Sequence, residues 1–113
     1  MLFRSVADGQ PILALVSGSN RLDTARLAAA TGASAVRRAS ADEARAATGF
    51  PIGGVPPFGH ATDLPVLVDA DLTRFDVVYA AAGLPDATFA ISPADLVRGS
   101  GGRIEELAER TAR

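Results

Sequence analysis

The chain has no cysteine, no tryptophan and no lysine; all eleven of its basic residues are arginines. Without cysteine there is no disulfide framework, no thiolate metal site and no cysteine nucleophile. The single histidine, His60, argues against a protein-built zinc site and against a Ser-His-Asp triad. No metal or cofactor is therefore expected. No apolar run approaches the length of a membrane span, and no charged-then-apolar leader precedes the first strand, so no membrane partner is expected. A net charge of −2 speaks against DNA and against tight non-specific nucleic-acid binding, which depends on many phosphate contacts. Contact with an RNA end stays open.

What the chain does have is an unusual loop. Five of the seven residues from Gly53 to Gly59 are glycine or proline, which excludes a helix or the middle of a strand. Glycine allows close approach of a ligand to the backbone, and Pro56 and Pro57 hold the approach in one shape. A flexible linker would use Gly and Ser without the interleaved Val55 and Phe58. This segment reads as a binding loop whose amides face a ligand.

Around it, 113 residues with 48% hydrophobic content suit a single domain over 1–113. Leu2 to Val6 and Pro11 to Ser17 read as strands joined by an Asp8-Gly9 turn. Ile12 to Val16 is apolar throughout and predicts a strand covered on both faces. Asp23 caps a helix that runs to about Ala30 and ends at Gly32, and Ala33 to Arg38 reads as a strand. Ser40-Ala41-Asp42-Glu43 is a capping box that opens a helix closed at Gly49. Pro65 to Asp69, Asp76 to Ala81 and Thr88 to Ile91 are strands, the first two joined by a turn or short helix around Asp71 to Arg74. Ser92-Pro93 starts a helix through Val97. The glycines from Gly99 to Gly102 read as a hinge before a last helix over Arg103 to Arg110, with Ile104, Leu107 and Ala108 on one face. Asp69 and Asp95 read as turn and cap residues.

The order Gly18…Arg21-Leu22-Asp23, Gly32, Thr48-Gly49, then Gly53-Gly54-Val55-Pro56-Pro57-Phe58-Gly59 resembles the YbaK and prolyl-tRNA-synthetase-associated editing domains. Leu64 to Asp69, Gly83 and Ile91-Ser92-Pro93-Ala94-Asp95-Leu96 continue that likeness across nearly the whole chain. The resemblance implies an α+β fold with a mixed, largely antiparallel, curved sheet and surrounding helices. It also implies a cytoplasmic protein that hydrolyses the ester of mischarged aminoacyl-tRNA, of the tRNA-Pro type. The partners implied are the aminoacyl-tRNA 3′ end and, as a second candidate, prolyl-tRNA synthetase. The backbone amides of Gly53, Gly54 and Val55 would then hold the ester carbonyl and its oxyanion. Phe50, Pro56, Pro57, Phe58, Gly59, His60, Gly83 and Thr88 are the candidate substrate-binding residues.

One departure matters. The family carries a functional lysine at the start of its first core strand, which here would fall just before Met1, together with an upstream helical segment. Either the chain is an N-terminally truncated editing domain, or it is a non-catalytic binding module for an aminoacyl-tRNA end or a synthetase. Truncation leads to the expectation that Leu2 to Val6 lie open on a face that a helix normally covers. Arg4 is the nearest cation, but guanidinium does not replace ammonium at a tight site. Arg21, Arg26, Arg37, Arg38 and Arg45 are candidates for the acceptor end, weighed against solvated surface arginines. Thr88 stands where some relatives carry an acidic residue, and it cannot act as that acid.

Overall fold

The computed structural model describes residues 2–5 as backbone, and 9–17, 20–51, 54–60, 64–84 and 87–109 in full. In chain order it forms β1 (Leu2–Ser5), β2 (Pro11–Leu15), α1 (Thr24–Thr31), β3 (Val36–Arg38), α2 (Ala41–Thr48) and β4 (Val66–Asp69). A 3-10 turn (Ala70–Arg74), β5 (Val78–Ala81), β6 (Thr88–Ile91), α3 (Pro93–Ser100) and β7 (Arg103–Glu105) follow. The main sheet has the order β3-β1-β2-β4-β7, and β5 and β6 form a separate two-stranded hairpin. β1 is antiparallel to β2 and β3, whereas β2 with β4 and β4 with β7 run parallel. The fold is the mixed α+β arrangement implied by the sequence. Among the described residues no helix is long and apolar enough to cross a membrane.

The apolar run of β2 is covered on both faces, as its pattern requires. Leu13 packs with Ala39, Ala44, Ala47 and Val66, while its neighbours Ile12 and Ala14 pack with Leu27, Leu67 and Leu107. Helix α2 presents alanines to the sheet, so its axis can lie close. Further along the first face, Val68 joins Leu72 and Leu96 and anchors the 3-10 turn and α3. Leu13, Leu27, Leu67 and Leu107 are almost wholly buried, each contributing about 1.5–3 kcal/mol.

Caps bound the helices where the sequence places them. The Asp23 carboxylate accepts from the Ala25 and Arg26 amides at 2.9 and 3.3 Å, and α1 ends at Gly32. Ser40 and Glu43 form the reciprocal capping box of α2, with Ser40 N–H to Glu43 at 2.9 Å and Glu43 N–H to Ser40 Oγ at 3.2 Å. Glu43 is also held in two hydrogen bonds by Arg37, at 2.7 and 2.8 Å. Arg37 first, then the Ser40 amide, lower the Glu43 carboxyl from its ordinary 4.5 to about 2.

The C-terminal expectations are corrected. Arg103 to Arg110 does not make a helix: Arg103–Glu105 is β7, paired parallel to β4, and Ile104 is about half exposed. An eight-residue amphipathic stretch is marginal as a helix, and the open edge of β4 offers its backbone a ladder instead. Nor are Gly99 to Gly102 a hinge. Gly99 lies inside α3, Gly101 caps it, and Gly102 sits so close to β4 that an added Cβ would come within 2.7 Å of Val68. Asp69 does not cap the turn that follows it with its side chain. Its buried carboxylate accepts from the Leu107 and Ala108 amides at 2.9 and 3.4 Å and so fastens the end of the chain across the sheet. The Ala7-Asp8 part of the first turn and residue 110 lie outside the described residues. The side chains of Leu2 to Val6 lie outside them too, so the expectation of an open face there is not tested; the β1 backbone pairs on both edges.

Two outcomes are expected. Asp69→Ala leaves two buried amides without an acceptor and lowers unfolding stability by on the order of 3 kcal/mol, while Asp69→Asn keeps one oxygen and loses less; chemical denaturation measures both. Because the Glu43 carboxyl is depressed in the folded protein, its contribution is present above pH 4.5 and lost as pH falls toward about 2. Glu43→Gln is therefore expected to lower Tm at neutral pH by an amount that vanishes near pH 2, read from melting curves across that range.

Candidate functional site

The loop is launched by the end of α2. Buried Thr48 donates its hydroxyl to Ala44 O at 2.6 Å and accepts the Phe50 amide at 3.1 Å, so the chain leaves the helix in a set direction. Pro51 O then accepts the Gly54 N–H at 2.9 Å, closing a four-residue turn. This corrects one expectation: the Gly54 amide is bound within the turn and is not a free donor. Gly53 lies outside the described residues. The Val55 N–H makes no hydrogen bond among the described residues, and the Val55 side chain packs against the Leu13–Ala44 cluster. Pro56 and Pro57 are buried. His60 Nε2 donates to Pro56 O at 2.6 Å, which braces the loop from behind, with Gly59 between them in the left-handed region.

Beside this loop is a cavity of about 410 Å³. Leu15, Val16 and Ser17 from the carboxyl end of β2 form one wall, and Val55 and Pro57 form the next. Leu72, Phe75, residues 77–81 along β5 and Leu96 of α3 complete it. The lining is mainly apolar.

Of the residues nominated from sequence, the cavity brings together Val55 and Pro57. Phe50 instead packs its ring on Gly83, where a Cβ would meet Phe50 Cε1 at 3.3 Å and where φ of +98° itself demands glycine. Phe58 tilts against Phe89 with ring centroids 5.8 Å apart and lies over Gly99, which joins the loop to β6 and α3. Thr88 is exposed, opposite Ala81. Among the described residues no arginine lines the cavity; Arg26 pairs with Asp23 and Arg37 with Glu43. Ser17, Phe75 and β5 were missed. Val77 to Ala81 is apolar at every position, which suggests a strand buried on both faces, and only the hairpin geometry turns Val77 and Tyr79 outward.

The aminoacyl-tRNA editing domain profile matches residues 1–98. The Bacillus subtilis (strain 168) protein YwhH is 36% identical over 94 residues, which is 83% of this chain and 59% of that protein. EbsC of Enterococcus faecalis (strain ATCC 700802 / V583), a candidate Cys-tRNA(Pro)/Cys-tRNA(Cys) deacylase, is 23% identical over 100 residues, 88% of this chain and 61% of its own length. The chain thus spans 59% and 61% of the curated relatives it matches. The crystal structure of a candidate trans-editing enzyme for prolyl tRNA synthetase superposes with a TM-score of 0.90 at 41% identity, over 97% of this chain and 68% of that one. The hypothetical protein APE2540 superposes with a TM-score of 0.86 at 29% identity, over 96% of this chain and 71% of that one. By the extent of the profile match and the shared fold, the chain belongs to the aminoacyl-tRNA editing domain family.

Proposed function

We propose that the protein hydrolyses the ester of mischarged aminoacyl-tRNA, acting in trans on tRNA for proline. The observation that carries this reading is the braced loop beside an apolar cavity, with Val55, whose N–H is unbonded among the described residues, in the lining. The aminoacyl side chain enters the cavity and the ester carbonyl oxygen lies against Val55 N–H. Water adds to the carbonyl carbon, and the amide stabilises the oxyanion that forms. Collapse breaks the bond to the ribose oxygen, which takes up a proton and leaves as the tRNA hydroxyl, with the free amino acid as the second product. The ester is already activated, so positioning and a fixed donor suffice without a protein nucleophile. The ribose hydroxyl or the substrate's own side chain handles the proton. Pro56, Pro57 and His60 serve by shaping the loop. Alanine, serine, cysteine and threonine are the side chains to compare. Prolyl-tRNA synthetase is the proposed protein partner, by analogy with the solved relative.

A second reading, a binding module that holds an aminoacyl-tRNA end without cleaving it, draws on the same cavity. Its support is that no described arginine lines the cavity. Release of labelled amino acid from tRNA(Pro) charged with each of the four amino acids separates the two. Val55→Pro removes the amide and is expected to slow release about a hundredfold, whereas Val55→Ala keeps it and stays within a few-fold. Equal rates for the two variants would dismiss the amide's role. Binding of tRNA with no release of any of the four would favour the module.

A further inference from the structure

The wall of the cavity opposite the loop is the edge of a strand, not its face. Ala82 N–H donates to Ala87 O at 2.9 Å, and bonds of this kind recur at every second residue of an antiparallel pair. Val78 and Ala80 therefore direct their backbone groups at β6, and Tyr79 and Ala81 direct theirs along the opposite edge. No other strand pairs with that edge among the described residues, and it is this edge that meets the cavity over consecutive residues. Val78 turns its side chain into the cluster of Val68, Leu72 and Leu96. Tyr79, on the other face, carries its ring outward and is 74% exposed, with Phe75 and Val77 beside it at 50% and 48%. These three side chains form an apolar rim to a cavity whose interior is already lined.

We propose that Tyr79 is the platform on which the terminal adenine of the substrate stacks, a positioning residue at the mouth of the site. The inference rests on the deacylase reading and names the part of the substrate that its cavity does not hold. If the aminoacyl group occupies the cavity, the ribose that carries it must lie at the mouth, and the adenine on that ribose falls on the rim. Every base has a π face, and an exposed aromatic ring at this place offers it a partner without any phosphate contact. That suits a chain of net charge −2 with no described arginine in the cavity. The free amide and carbonyl of Tyr79 and Ala81 stand next to the ring and can take the polar groups of the ribose and the aminoacyl end.

The chain offers its own probe, since Tyr79 is its one tyrosine and it contains no tryptophan. Titration with the trinucleotide CCA bearing alanine through a non-hydrolysable 3′-amide is expected to quench tyrosine emission to saturation. By calorimetry, Tyr79→Ala should weaken that binding by about 5- to 100-fold, while Tyr79→Phe, which keeps the ring, stays within a few-fold of the parent. In deacylation the alanine variant should raise KM for aminoacyl-tRNA with little change in kcat, and Tyr79→Phe should restore KM. Hydrolysis without quenching, or an alanine variant that binds as well as the parent, overturns the platform and leaves the deacylase reading standing. Saturable quenching without hydrolysis of any charged tRNA keeps the platform and removes the deacylase. Absence of both overturns both.

Discussion

The parallel pairing of β2 with β4 is the constraint from which the rest of the molecule follows. Leu13, Ala14 and Leu15 align with Val66, Leu67 and Val68, and both faces of this pair are buried. Parallel neighbours cannot be joined by a tight turn; the chain must leave the sheet and return at the same end. Here that excursion holds α1, β3, α2 and the glycine-proline loop, so the loop is the last segment before the return into β4. The cavity it walls opens at the carboxyl end of β2, where Leu15 to Ser17 emerge. Sites outside the carboxyl ends of parallel strands are common in open sheets for this reason.

The loop is held by bonds that consume much of its own donor capacity. Thr48 receives the Phe50 amide, Pro51 O receives that of Gly54, and His60 grips Pro56 O, while the two prolines have no N–H at all. Among the described residues the amide of Val55 is one of those left open. A rigid frame around an open donor suits a reaction in which the charge appears only in the transition state, because the donor need not reorganise when it forms. The lone histidine, a tempting acid or base in the sequence, contributes here through Nε2 as a brace.

The far end of the chain is secured by a different device. A carboxylate at the end of a central strand, Asp69, collects two amides from the segment after β7, and Leu22 pairs with Ala108 across the same region. The tail is thereby tied to β4, to the start of α1 and to the Leu27–Leu107 cluster at once. Gly102 makes this possible, since any side chain there would collide with Val68.

Local signals in the sequence settle local structure well. Asp23 with Gly32, the Ser40–Glu43 box with Gly49, and Ser92-Pro93 bound their helices because caps satisfy orphan amides within a few residues, with no help from distant parts of the chain. The alternation-free run at Ile12 to Val16 announced a strand covered on both faces, and the glycine-proline composition of residues 53–59 announced the loop and, through its resemblance, the family. Tertiary structure decided the rest. Arg103 to Arg110 has a helical apolar period, yet its first residues, Arg103–Glu105, become a strand because β4 has an unpaired edge. Phe50 and Phe58 were equal candidates for the pocket, but Gly83 and Phe89 draw their rings elsewhere. That the Gly54 amide is closed depends on a turn bond to Pro51 O, and which face of an all-apolar β5 meets solvent depends on its pairing with β6. Composition fixes the menu at these positions, but contacts between residues far apart in the chain make the choice.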